Sequence, residues 1–152
     1  MQLDATDRRI LRTLQREGRM SNAELAEQIV LSPSACHRRV QRLETDGFIA
    51  GYVALVDPRK IGKPATVFVE ITLNGQSDEL LDGFEKAVAK IPDVLECHLM
   101  AGSADYLLKL VVEDTEDFAR IHRQYLARLP GVAQMQSSFA LRTVVKTTAL
   151  DL

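Results

Sequence analysis

Ser32-Pro33-Ser34-Ala35-Cys36-His37-Arg38-Arg39-Val40-Gln41-Arg42-Leu43 is the stretch on which the reading of this chain turns. Serine is a favoured helix cap, and proline fits the first helical position, where no N–H is needed. Cys36, Val40 and Leu43 recur at helical spacing as one apolar stripe, and Gly47 follows as a stop. Just upstream, Ser21-Asn22-Ala23-Glu24 has the form of a capping box, in which each side chain takes an orphan backbone N–H of the other. Its helix puts Leu25, Ala26 and Ile29 on one face. A first helix, capped by Asp4, carries Ile10, Leu11 and Leu14 and ends near Gly18. Phe48–Leu55 then reads as a short strand, the wing of a winged helix–turn–helix.

Asp57-Pro58-Arg59-Lys60-Ile61-Gly62-Lys63-Pro64 interrupts this pattern with two prolines, a glycine and four charges, and reads as a linker. Beyond it an internal repeat appears: Ala89-Lys90-Ile91-Pro92-Asp93-Val94 matches Ala127-Arg128-Leu129-Pro130-Gly131-Val132. Each copy ends an amphipathic helix and opens a strand. One helix starts at Ser77 and buries Leu81, Phe84, Val88 and Ile91. The other is capped by Asp114 or Thr115 and buries Phe118, Ile121, Tyr125 and Leu129. Strands are expected at Thr66–Leu73, Val94–Met100, Tyr106–Val112 and Met135–Val144. The order βαββαβ is the ferredoxin-like pattern. The fold class is therefore α+β: a helix–turn–helix domain over residues 1–56, a linker over 57–64, and a ferredoxin-like domain over 65–152.

That topology covers one sheet face with helices and leaves the other open. Strand alternation turns Val67, Val69, Ile71, Leu95, Cys97 and Leu99 inward. It sends Phe68, Glu70, Thr72, Glu96, His98, Met100, Leu107, Lys109, Val111, Gln136, Ser138, Ala140 and Arg142 to the open face. The mixture of apolar groups and opposite charges suits a second copy of the same sheet, and we infer a homodimer built sheet against sheet.

The chain has 152 residues, with 46% hydrophobic and 26% charged, which excludes disordered and disulfide-rich classes. A bilayer span needs ~20 apolar residues, and the uncharged apolar run Gly47–Val56 is far shorter. Met1-Gln2-Leu3-Asp4 has early acid and no apolar core, so no secretory signal is expected and the chain reads as cytoplasmic, without a membrane partner. The net charge is −2, but residues 1–56 carry eight Arg against seven acids, and the rest eleven basic residues against fourteen acids. Between Ser32 and Arg42 every charge is an arginine. Local basic character of this kind suits nucleic acid even when the whole chain is near neutral.

The second helix of the pair presents His37, Arg38, Arg39, Gln41 and Arg42 away from its apolar stripe. Its N-terminus adds free backbone N–H groups and the hydroxyls of Ser32 and Ser34, which suit phosphate. A helix of this kind fits the major groove, where Arg pairs with guanine and Gln with adenine. Base contacts are expected from His37 and Arg38, and phosphate contacts from Arg39 and Arg42. Cys36-His37 and Cys97-His98 do not form a metal site: neighbours on a helix diverge by ~100°, and neighbours on a strand face opposite ways. The two cysteines are expected to be free thiols in the core. No nucleophile elbow, phosphate loop or dinucleotide fingerprint occurs. Asp114, Glu116 and Asp117 are ordinary helix-start acids, so no catalytic residue and no cofactor is assigned.

The run Leu31–Ile49 resembles the recognition helix of the Lrp/AsnC (leucine-responsive, feast/famine) transcription regulators. Glu96-Cys97-His98-Leu99-Met100-Ala101-Gly102-Ser103-Ala104-Asp105-Tyr106-Leu107-Leu108-Lys109 resembles their ligand-sensing segment, and Leu129-Pro130-Gly131-Val132 a third landmark. The resemblance spans the whole chain in order. It implies a regulator that binds double-stranded DNA, pairs through its C-terminal sheets, assembles dimers into octamers, and binds a free amino acid between subunits. It places that effector at Met100, Gly102, Ser103, Ala104 and Asp105. Asp105 would take the α-ammonium and backbone N–H groups the α-carboxylate. Ser137 and Ser138 of a neighbouring subunit would add hydroxyls. Several relatives carry an acid and an aromatic where Ser103 and Ala104 stand, so effector identity does not transfer. Two other classes stay open on sequence: a ligand-free architectural DNA-binding protein, and a small ferredoxin-like enzyme.

Overall fold

The computed structural model describes residues 2–152, which form two compact units. The first runs to Leu55 and includes Val144–Leu152; the second is Val56–Thr143.

In the first unit α1 (Ala5–Arg16), α2 (Asn22–Ile29) and α3 (Pro33–Thr45) each start at the cap that their residues dictate. The Asp7 N–H donates to Asp4 Oδ1 at 2.7 Å, and the Asp4 N–H donates back to the Asp7 carboxylate. The Ser21 hydroxyl accepts from Glu24 N–H, and Glu24 accepts from Ser21 N–H at 2.8 Å. The Ser21 N–H, and after it the Ser21 hydroxyl, hold the Glu24 carboxyl below its usual range. Ile10, Leu11, Leu25, Ala26, Ile29, Cys36 and Leu43 close the core between the helices. Burying side chains of this size stabilises by roughly 1.5–3 kcal/mol each.

The turn between α2 and α3 passes through Val30, at φ 63° and ψ 53°. A β-branched side chain in this left-handed region is strained, and Val30 is 82% exposed, so it gains little packing in return. The left-handed penalty is roughly 1–2 kcal/mol for an L-residue. Asn tolerates this conformation. Val30→Asn is therefore expected to raise stability by about 1 kcal/mol in urea unfolding. An unchanged midpoint would show that the turn is not strained.

Two expectations are corrected here. Phe48–Leu55 forms no strand. A strand exists only as a hydrogen-bonded pair, and no second strand is present among the described residues of this unit. The segment is instead pinned by Tyr52, whose hydroxyl donates to Glu44 Oε1 at 2.9 Å. The second correction concerns the end of the ferredoxin-like domain, expected at 152. Val144–Leu152 lies with the first unit, where the Gln15 amide pairs with both the N–H and the carbonyl of Leu150. Arg12 bonds the Leu152 carbonyl, and the Leu152 side chain joins the helical core.

The second unit opens on the turn through Pro58–Gly62, which the sequence reading assigns to a linker. It continues as β1 (Ala65–Leu73), α4 (Asp78–Val88), β2 (Val94–Leu99), β3 (Tyr106–Val112), α5 (Thr115–Gln124), a short 3-10 turn and β4 (Val132–Phe139). The sheet order is β2-β3-β1-β4, with every neighbour antiparallel. Val67, Val69, Ile71, Leu108 and Leu110 are fully buried beneath Phe84 of α4 and Ile121 of α5. Two details differ from expectation. A register shift between Val94 and Glu96 leaves Leu95 more than half exposed, and Leu99 is equally exposed because β2 is an edge strand. β4 ends at Phe139 rather than Val144: after the Ala140 N–H donates to the Thr66 carbonyl at 2.9 Å, β1 is one residue from its own start at Ala65.

Candidate nucleic-acid interface and effector pocket

On α3 the spacing of Ser34, His37, Arg38 and Gln41 makes one stripe, and all four are exposed. The stripe contains no acid. Ser32 caps the helix by accepting from Ala35 N–H at 3.2 Å, so its hydroxyl oxygen is already in use. Asn22 of α2 donates to the Pro33 carbonyl at 2.9 Å and ties the start of α3 to its neighbour. The Arg38 guanidinium has no protein acceptor among the described residues.

Arg39 and Arg42 stand differently from the expectation of phosphate contacts. Arg39 lies three residues from Cys36 and four from Leu43, on the flank of the buried stripe. Its guanidinium reaches across to α1, 2.7 Å from Asp4 Oδ2 and 2.8 Å from Asp7 Oδ1. Arg42 Nη2 sits 2.8 Å from both oxygens of Asp7. Asp7 is 1% exposed, so these arginines are the counter-charges of a buried carboxylate. The Asp4 carboxyl is held down to about 2, first by the Asp7 N–H and then by Arg39. Sequence reading finds Asp4 as a cap but misses the role of Asp7. The available signal is the pair of acids in the first turn of α1, matched by two arginines at i, i+3 on the flank of α3.

In the second unit, Met100, Gly102, Ser103 and Ala104 line a cavity of about 140 Å³ together with Glu70 and Leu107. The N–H groups of Ala101, Gly102, Ser103 and Ala104 have no acceptor among the described residues. Asp105 is not the free carboxylate that the sequence reading expects. It is 8% exposed, and it spends both oxygens inside the unit. Leu73 N–H donates to Oδ2 at 2.8 Å and the Gln76 amide to Oδ1 at 2.9 Å. Its main chain also bridges Met100 N–H and the Ile71 carbonyl. Asp105 thus fastens the loop to β1. Within the protomer neither Ser137 nor Ser138 lines the cavity. Ser137 pairs with buried Val69 and takes the helix side, and Ser138 pairs with Phe68 on the open face.

The thiols are unsuited to ligation. Burial pushes the Cys36 thiol up, and burial with the nearby Glu85 charge raises Cys97 to about 11. A thiolate is the ligating form. Among the described residues no helix is long and apolar enough to cross a membrane.

A helix that is firmly capped, tied to its neighbour and faced with unpaired donors is built to lie in a DNA groove. Joined in one chain to a sheet whose hairpin loop frames a small pocket, it defines a ligand-binding DNA-binding regulator. Comparison with known proteins agrees. A family model for the Lrp/AsnC ligand-binding domain matches residues 66–150, and one for winged helix–turn–helix DNA-binding domains matches 3–50. The leucine-responsive regulatory proteins of Klebsiella pneumoniae and Escherichia coli K12 are each 43% identical over 97% of this chain and 90% of their own length. A transcriptional regulator of Neisseria meningitidis, solved as an L-Met complex, superposes with a TM-score of 0.93 at 36% identity, covering 99% of this chain and 97% of that one. An AsnC family regulator of Agrobacterium tumefaciens gives 0.93 at 38%, covering 98% and 97%. The chain belongs to the Lrp/AsnC family: it is a DNA-binding transcription regulator with an amino-acid-binding domain, and not an enzyme.

Proposed function

We propose that this regulator reads DNA with Ser34, His37, Arg38 and Gln41 and answers to a free amino acid held at the Met100–Asp105 loop. The observation that carries the reading is the division of labour on α3. Arg39 and Arg42 are committed to Asp7, while the acid-free stripe around Arg38 has no protein partner. Arg38 and Gln41 supply the donors that pair with guanine and adenine edges. The free N–H groups of the loop suit an α-carboxylate, and Met100 and Leu107 suit an apolar side chain. L-methionine, present in the Neisseria structure, and L-leucine, for which the enterobacterial relatives are named, are the first candidates.

The assembly follows from the open face. Its rows are Glu96–Lys109–Phe68–Ser138 and His98–Leu107–Glu70–Gln136. A second copy covers these rows, and dimers assemble further. Ser138 is the serine that this face presents to a neighbouring copy. The protein works in the cytoplasm, where DNA and free amino acids meet.

The test uses a duplex selected by the wild-type chain from a random pool. Arg38→Ala is expected to weaken binding to it by about 1–3 kcal/mol, with an unchanged melting temperature. Wild-type affinity in Arg38→Ala, alongside lost affinity in a fully folded Arg39→Ala, would reverse the assignment.

A further inference from the structure

The chain crosses between its two units twice: Leu55 leads straight into Val56, and Thr143 straight into Val144. Each crossing is pinned on both sides. Before the first, the Tyr52 hydroxyl is bonded to Glu44. After it, the turn closes with Lys63 N–H on the Pro58 carbonyl at 2.7 Å, and the Lys63 ammonium lies 3.4 Å from Asp93. The second crossing leaves the sheet after the Ala140 N–H bond to Thr66 and is caught by α1. There the Leu150 N–H donates to Gln15 Oε1 at 2.6 Å, and the Gln15 amide donates to the Leu150 carbonyl at 3.0 Å. Arg12 donates to the Leu152 carbonyl, and the Leu152 side chain joins the core. The same helix carries Asp4 and Asp7, which hold Arg39 and Arg42 of α3. The tail therefore grips the helix against which the reading helix is braced.

A body held by one length of chain swivels about it, and a second attachment removes that freedom. We propose that residues 144–152 are a second tether that sets which half-site spacing a pair of chains accepts on DNA. This goes beyond the reading of bases by α3 and rests on the pairing of copies proposed above. In a pair, docking of the second α3 is an intramolecular event, and its strength follows the freedom of the connecting chain. Tightly held units favour one spacing and lose affinity at others, whereas loosely held units follow the half-sites wherever these fall. Gln15 and Leu152 thus set specificity through spacing, not through base contacts.

The experiment uses the full chain and three duplexes: a single half-site of the selected sequence, its palindrome, and that palindrome with about 5 base pairs, half a helical turn, inserted at its centre. The wild type is expected to bind the extended palindrome at least about 10-fold less tightly than the original. Gln15→Ala/Leu152→Ser, which frees the tail, is expected to shrink that ratio to about 2- to 3-fold, with single half-site affinity unchanged. A second variant carries a short glycine–serine insertion after Arg142. It keeps every tail contact and the melting temperature, slackens only the connection, and should flatten the spacing dependence equally. A wild type indifferent to the extended palindrome overturns the proposal, as does the wild-type ratio in both variants. Lost single half-site affinity in the first variant, with the second like the wild type, also overturns it and makes the tail a packing element alone. Light scattering that finds a single chain under the binding conditions removes the pairing, and the tether's role with it.

Discussion

An Arg39→Ala/Arg42→Ala double variant is expected to lose about 3 kcal/mol, within the range measured when a buried ion pair is stripped of one side. Asp7 is the reason. Its carboxylate is 1% exposed and takes three guanidinium bonds, two from Arg42 and one from Arg39. Without them the charge stays buried with only the Asp4 N–H as donor. Native stabilities are about 5–15 kcal/mol, so the helical unit would be badly weakened. DNA binding would fall too, but through unfolding. Adding Asp7→Asn to the double variant separates the causes. It removes the stranded charge and keeps an oxygen for the helix start, so stability should return to within about 1 kcal/mol of the wild type. Urea unfolding followed by circular dichroism reads both steps. If instead the double variant melts normally and binds every duplex less tightly with a shallower salt dependence, the arginines are phosphate contacts after all.

The helices were legible because local chemistry determines them. Asp4, Ser21, Ser32, Ser77 and Asp114 cap the very helices that their positions suggest. The strand alternation at Val67, Val69 and Ile71 likewise reports a buried face that only one register satisfies. Features set by distant partners were not legible. Whether Arg39 faces DNA or Asp7 depends on where α1 crosses α3, and no spacing within α3 encodes that. Phe48–Leu55 has strand-forming residues, but pairing is a property of two segments. The tail Val144–Leu152 carries no pattern that points to Gln15. In the loop, the glycine and the acid were visible, but Asp105 was given the role of a free carboxylate because its partners, Leu73 and Gln76, lie about thirty residues away.

Asp105 itself yields the sharpest contrast between a ligand group and a loop fastener. Asp105→Ala is expected to cost about 3 kcal/mol, since it orphans the buried Leu73 N–H and frees the Gln76 amide. The loop would lose its side-chain tether to β1 and keep only the main-chain bond to the Ile71 carbonyl. Asp105→Asn has a different outcome. Its oxygen accepts from Leu73 N–H, and its amide donates to Gln76 once that side chain turns its own oxygen inward. The cost should fall below about 1 kcal/mol, and amino-acid affinity should stay within a few-fold of the wild type. A carboxylate that bound an ammonium directly would lose its charge in this variant and the affinity with it. Equal loss of L-leucine or L-methionine affinity in the Asn and Ala variants, with the Asn variant still stably folded, would therefore make Asp105 the group that holds the ammonium.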